Sequence, residues 1–153
     1  MKALTFPHNL GEGKLEGQKD NDVYYYLGLC QEKLGDTVKA KEYFEKASVS
    51  SGELSVSLYY NDQPADMIYY QGLSKLALGV NNRAKACFNR LIDYGKEHMD
   101  DEVKADYFAV SLPQIQVFDE DLSKNANAHC RHLIDLGEKG LDIMDRKDDC
   151  YDI

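Results

Sequence analysis

Basic side chains are scarce in this chain. Over 153 residues, 18 Lys and Arg stand against 27 Asp and Glu, a formal net charge of -9. Nucleic-acid recognition needs clustered Lys and Arg to neutralise phosphate, and attraction to an anionic membrane surface needs the same, so neither is an expected partner. The acidic excess reads first as a solubility device. No apolar run approaches the roughly 18 residues of a membrane span. The opening Met1-Lys2-Ala3-Leu4-Thr5-Phe6-Pro7 lacks an apolar stretch and an export cleavage pattern, so the expected location is cytoplasmic. Cys30, Cys87, Cys130 and Cys150 form no CxxC pair and are expected as thiols rather than a disulfide framework. Cys87 and Cys150 fall within helical patterns, where Cys behaves as a small buried hydrophobe.

The motifs of common catalytic sites are missing as well. There is no GxxxxGK[ST], GxGxxG or GxSxG. The carboxylate clusters Asp100-Asp101-Glu102, Asp119-Glu120-Asp121 and Asp148-Asp149 lack the alternating oxygen ligands and central Gly of a calcium loop, and helix capping and solvation explain them. His129 and His132 are spaced for one helical face with Cys130 between them, but a zinc site needs three or four ligands and no second local pair appears. No catalytic residue, metal or cofactor is expected.

What the chain does contain is a repeat. Tyr24-Tyr25-Tyr26-Leu27-Gly28-Leu29 recurs as Ile68-Tyr69-Tyr70-Gln71-Gly72-Leu73. The register then holds without a gap: Leu34-Gly35 with Leu78-Gly79, Ala40-Lys41 with Ala84-Lys85, Phe44 with Phe88. Tyr24, Leu27 and Gln31 share one helical face. Gly inside a helix costs about 1 kcal/mol relative to Ala, so Gly28 implies the close approach of a second helix. Gly35 suits a left-handed cap at the end of the first helix, and Asp36 or Thr37 suits the cap of the next. Ala40, Phe44 and Ala47 then face back, with the small Ala expected opposite the Gly and the aromatic beyond it.

These positions resemble the signature of the tetratricopeptide repeat, a unit of about 34 residues. Gly28, Gly35, Ala40, Phe44 and Ala47 carry it once, and Gly72, Gly79, Ala84, Phe88 and Leu91 carry it again. A third copy is degraded: in His129 to Gly137, Asp135 stands where Gly28 and Gly72 stand, and Lys147 takes the small-residue position. The implied fold is all-α, a right-handed solenoid of antiparallel helix pairs, with two clear repeats, a degenerate third and about seven helices. Residues 1–20 form an extended lead-in and 21–153 the helical domain, with repeats about 21–54, 65–98 and 128–153. Helices are expected near 22–34, 37–49, 65–78, 82–96, 101–111, 121–139 and 143–152. Pro64 would fall in the first turn of the third helix behind Asp62 or Gln63 as cap, the fourth would end near Gly95, and Pro113 would stop the fifth.

Three further segments resemble the C-terminal repeat tail of certain large bacterial proteins that carry an upstream β-rich domain of unknown function with suspected carbohydrate-related activity. They are Phe6 to Gly13, Tyr59 to Pro64 and Asp106 to Pro113. Any chemistry that kinship implies belongs to the upstream domain.

Eleven Tyr and no Trp give the chain its aromatic character. Consecutive helical residues turn by about 100°, so Tyr24, Tyr25 and Tyr26 face different ways. By family register the first helices line a concave groove, through Asp22, Tyr25, Leu29 and Glu32 in repeat one and Asp66, Tyr69, Leu73 and Leu76 in repeat two. Tyr24, Tyr26 and Tyr70 would then pack nearer the core, and Tyr59 and Tyr60 would add a surface from the insertion. Some relatives hold acidic C-terminal tails of chaperones with a Lys/Asn clamp. Tyr25 and Leu29 occupy those clamp positions here, so that ligand is not expected. The expected function is a non-catalytic interaction or scaffold module for a protein or peptide partner. The alternative is a structural or dimerisation accessory of a carbohydrate-active protein; a hydrolase is the least favoured reading. A short last helix would leave Leu133, Leu136 and Leu141 as an apolar strip, bare if the tail frays, or covered by a second copy in a homodimer. The dimer is favoured, because a bare apolar end invites aggregation.

Overall fold

The computed structural model describes residues 20–49, 66–101 and 122–149. Five helices are formed among them: α1 (Asn21–Lys33), α2 (Thr37–Ala47), α3 (Met67–Ala77), α4 (Asn81–Glu97) and α5 (Leu122–Asp149). The first four make two helix pairs, each closed by a tight turn that the sequence specifies. Gly35 and Gly79 sit at φ 82° and 75°, in the left-handed region that Gly enters without a Cβ penalty. Both turns carry the same two hydrogen bonds. Asp36 N–H donates to Gln31 O at 3.0 Å and Gly35 N–H to Glu32 O at 3.0 Å; Val80 N–H donates to Lys75 O at 2.9 Å and Gly79 N–H to Leu76 O at 3.2 Å. This pairing satisfies the otherwise orphaned last carbonyls of α1 and α3. Asp36 is the cap of α2, its Oδ1 accepting from Lys39 N–H at 3.1 Å.

Each pair closes on a phenylalanine. A Cβ on Gly28 would lie 2.5 Å from Phe44 Cε1, and one on Gly72 would overlap the Phe88 ring. The aromatic therefore sits directly over the Gly as its nearest neighbour, and Ala40 and Ala84 are buried in the same helix pairs. The ends of the first pair are tied by polar side chains. Asn21, fully buried, donates from Nδ2 to Ala47 O at 2.6 Å and Val49 O at 3.0 Å. Lys75 of α3 donates to Ser48 O at 2.8 Å. Three carbonyls at the negative end of α2 are thus paired, and one of them meets a cation there, the favourable sign for a helix C-terminus.

The structure departs from expectation at its C-terminal side. The helices expected at 121–139 and 143–152 are one continuous helix, α5, so five helices are seen where about seven were expected; the one expected at 101–111 lies outside the described residues apart from Asp101. The degenerate third repeat is accordingly a single helix among the described residues, not a pair. Helix α4 runs from Asn81 to Glu97, matching the expected 82–96 within a residue, with Gly95 inside its last turn rather than at its end. The reason is that three glycines are close-approach sites inside helices. A Cβ on Gly95 would meet Cys130 O at 2.6 Å, one on Gly137 would meet Ile92 Cγ1 at 2.5 Å and Phe88 O at 2.6 Å, and one on Gly140 would run into the Phe88 ring. The α4–α5 seam is built on these missing side chains. Helix α3 begins at Met67 with Asp66 at its cap position; Pro64, Asp62 and Gln63 lie outside the described residues, as does the lead-in before Asp20.

The core runs through α3, α4 and α5: Ile68, Tyr69, Leu73, Leu76, Ala84, Phe88, Leu91, Leu133 and Met144, with Leu136 and Leu141 half-buried against it. The strip Leu133, Leu136 and Leu141 is therefore covered within one chain. The opposite face of α5 exposes Lys124, Asn125, Arg131, His132, Asp135, Glu138, Lys139, Asp142, Asp145 and Arg146. That polar outer face is what a solenoid needs at a terminal helix, and it removes the physical argument for a second copy at this strip. The thiols of Cys30, Cys87 and Cys130 are free; Cys87 is half-buried and Cys130 wholly buried, while Cys150 lies outside the described residues.

Filling the glycine contacts is expected to destabilise the fold. Gly28→Leu and Gly140→Ala each gain helix propensity, about 1 kcal/mol for the alanine, but overpacking a tight contact costs about 1–3 kcal/mol and more for the larger side chain. A fall in thermal midpoint by circular dichroism is the expected result for both variants. An unchanged midpoint would contradict the seated-ring geometry.

Candidate functional site

The three consecutive tyrosines of α1 leave the helix in three directions. Tyr24 stacks on Tyr43 of α2, centroids 6.3 Å apart with the rings inclined by 25°. Lys46 Nζ lies over both rings, 5.9 Å from the Tyr24 centroid and 5.6 Å from that of Tyr43, a distance at which a cation gains from the ring quadrupole. Tyr25 turns inward, 6.0 Å from Phe44 and 6.0 Å from Tyr70 of α3. Tyr26 points outward, 55% exposed, and meets Tyr70 edge-on at 5.9 Å. On α3, Tyr70 contacts Tyr69 at 5.5 Å, and Tyr69 contacts Phe88 at 6.1 Å. The rings form an unbroken relay, Phe44–Tyr25–Tyr70–Tyr69–Phe88, from the closing aromatic of one repeat to that of the next. Pairs at these separations add about 0.5–1.5 kcal/mol beyond area burial.

Burial and carboxylates both act on these phenols. Burial raises the Tyr25 pKa above 10, with help from Tyr69, Tyr26 and the charge of Glu32. Tyr69 is raised by burial and by Tyr26. Tyr70 is pushed up to about 12, by burial first, then by its hydrogen bond to Tyr26 and the neighbouring charges of Asp22 and Asp66. Asp66 also faces His129 of α5; burial and His132 hold the His129 imidazole below its usual range against the opposing pull of that carboxylate.

The expected groove residues divide into two groups. Asp22, Tyr25, Leu29 and Asp66 are half-buried and Glu32 is exposed; of these, Asp22, Tyr25, Glu32 and Asp66 act on the tyrosine cluster. Tyr69, Leu73 and Leu76 instead sit in the core, 7%, 7% and 4% exposed. Helix α3 is closed from several sides, since α1, α2, α4 and α5 all contact it, so the face expected to line a groove is buried. Conversely Tyr26, expected nearer the core, supplies the outward ring, while Tyr70 packs against the core as expected and meets Tyr26 at its rim. The signal that could have found them is the Asp22–Tyr26 spacing, repeated as Asp66–Tyr70: at four residues apart, each carboxylate lies one turn before its ring. Tyr59 and Tyr60 lie outside the described residues. Among the described residues no three His, Cys, Asp or Glu side chains are grouped to hold a metal, and no helix is long and apolar enough to cross a membrane.

The arrangement can offer ring faces, phenol hydroxyls and carboxylates to a bound chain. Comparison with known families agrees with the helix pairing. The family model described as Tetratricopeptide repeat matches residues 22–48 and 66–94, the segments that form α1–α2 and α3–α4, and supports a tetratricopeptide-repeat family. Repeats of this kind generally mediate protein–protein interaction or scaffolding. No solved structure matches the chain significantly.

The two classes of tyrosine are expected to separate by measurement. Tyr69→Ala removes a core ring and should cost about 3–5 kcal/mol, whereas Tyr26→Ala should change stability by less than about 1 kcal/mol. Alkaline titration gives a second reading. Tyr25, Tyr69 and Tyr70 hold their protons more tightly folded than unfolded, so the stability they contribute is whole below about pH 10 and is lost as pH rises from there toward 12. Denaturant midpoints measured between pH 9 and 12 should fall over that window, and the loss should shrink in Tyr70→Phe.

Proposed function

We propose that the chain is a non-catalytic interaction module that docks a protein partner on the tyrosine face shared by α1 and α3. The carrying observation is the outward end of the ring relay, where Tyr26, more than half exposed, leans on Tyr70 beside Tyr25, Asp22 and Asp66. A large ring with a polar tip gives much contact area at low entropic cost, and here the rings are held by packing before any ligand arrives. The repeat-family match supports the same class of function. In a larger protein of the kind the flanking segments resemble, this face would bring a partner to the neighbouring domain. The right-handed solenoid expected of such repeats would present the face on its inner side.

Affinity capture from the native host with wild-type protein and with a Tyr25→Ala/Tyr26→Ala variant tests the reading. Proteins identified by mass spectrometry as retained on wild-type and lost on the variant, with helical circular dichroism kept, are the expected result. The same proteins retained on both would overturn it.

A further inference from the structure

The tyrosine face has a chemistry of its own, and the chain contains a pattern for it. On the neighbouring surface, the stacked Tyr24 and Tyr43 are already covered by a lysine: Lys46 Nζ lies within 6 Å of both ring centroids. The Tyr26–Tyr70 pair is similar in ring spacing, 5.9 Å between centroids. It differs in having two carboxylates beside it, one from each repeat. Asp22 stands four residues before Tyr26, and Asp66 four residues before Tyr70, so each Asp shares a helical face with its ring. Because helical side chains lean toward the N-terminus, each tyrosine is directed back over its own aspartate.

Several of the described cations are engaged elsewhere. Ion pairs among the described residues include Lys39–Asp36, Lys41–Glu45 and Arg146–Asp142, with His98–Asp101 where that imidazole is protonated. Lys75, the basic residue of α3, donates to the Ser48 carbonyl. His129, which faces Asp66, is held toward its neutral form by burial. Two carboxylates, one from each repeat, and an exposed ring thus lie together on this face.

Resting on the docking reading above, we propose that the Asp22–Tyr26/Asp66–Tyr70 cluster is a receptor for a cationic side chain, and that the partner presents a basic peptide segment, with a lysine or arginine over the Tyr26 ring and its charge shared by the two aspartates. The chemistry is complementary in both parts. A ring face attracts a cation at about 6 Å or less, more strongly for a planar guanidinium that also stacks, and the carboxylates accept its hydrogen bonds. An acidic peptide meets repulsion at the same place.

Fluorescence polarisation in 150 mM salt, with labelled peptides of alternating glycine and arginine, glycine and lysine, and glycine and glutamate, tests this. The two basic peptides are expected to bind and the acidic one to stay free. Asp22→Asn/Asp66→Asn and, separately, Tyr26→Ala should each weaken the arginine peptide on the order of tenfold. Asp135→Asn/Asp145→Asn, which removes the same charge from the exposed face of α5, should leave affinity within about twofold. Asp22→Lys/Asp66→Lys should exchange the preference, binding the glutamate peptide. Circular dichroism confirms that each variant keeps its helices, and the asparagine pair preserves shape should the lysine pair not fold. Equal loss in the α5 control would assign the binding to net charge and overturn the proposal, as would failure of both basic peptides to bind. If a captured host partner is lost on Tyr25→Ala/Tyr26→Ala yet unaffected by Asp22→Asn/Asp66→Asn, the docking face stands and its preference for cations falls.

Discussion

Phe88 is the contact on which the rest of the structure depends. Its ring has no exposed surface and touches two helices besides its own: on α3 it covers Gly72 and Tyr69 tilts against it, and on α5 it leaves no room for a side chain at Gly140. A ring seated on two glycines gains dispersion contact on both faces, and the glycines lose the helix propensity that an alanine would have given. The arrangement also ties the repeat to the helix that follows it. Where α5 passes over Gly95 and Phe88, backbone meets backbone, so the seam has little freedom to slide.

The same logic at Phe44 and Gly28 closes the first repeat, and the two closures communicate through the ring relay. Tyr25 and Tyr70 are the shared members, half-buried between the repeats, and they place Tyr26 at the surface with Asp22 and Asp66 nearby. Fold and candidate site are therefore one object. The residues that stack repeat on repeat are the ones that hold the outward ring in place, so the proposed docking face is fixed by the packing between repeats.

The helix pairs were legible in the sequence because their determinants are local. Gly35 and Gly79 demand a left-handed turn, Asp36 caps the helix that follows, and Gly28 and Gly72 recur in one register with Phe44 and Phe88. The C-terminal region was not legible for the converse reason. Gly95, Gly137 and Gly140 look like punctuation in one dimension, and only a second helix lying across them makes them interior positions. The site was half legible. Family register marked Asp22, Tyr25 and Asp66, but it assumed an open face on α3, where α4 and α5 in fact close over Tyr69, Leu73 and Leu76. Burial set by four neighbouring helices has no signature at a single position. The Asp–Tyr spacing that repeats across α1 and α3 was present in the sequence throughout.

The absence of tryptophan gives the ring relay an optical meaning. With no indole to capture excitation, ultraviolet emission from this protein comes from tyrosine alone. Tyr25, Tyr26, Tyr69 and Tyr70 lie at centroid separations of 5.5 to 6.0 Å, short compared with the range of dipolar transfer between phenols. Light absorbed by one ring is passed among the four before it is emitted, and the emission loses polarisation in the exchange. The junction between the repeats thus carries a built-in reporter: anisotropy stays low while the rings are stacked and rises when the two repeats come apart, with no label attached.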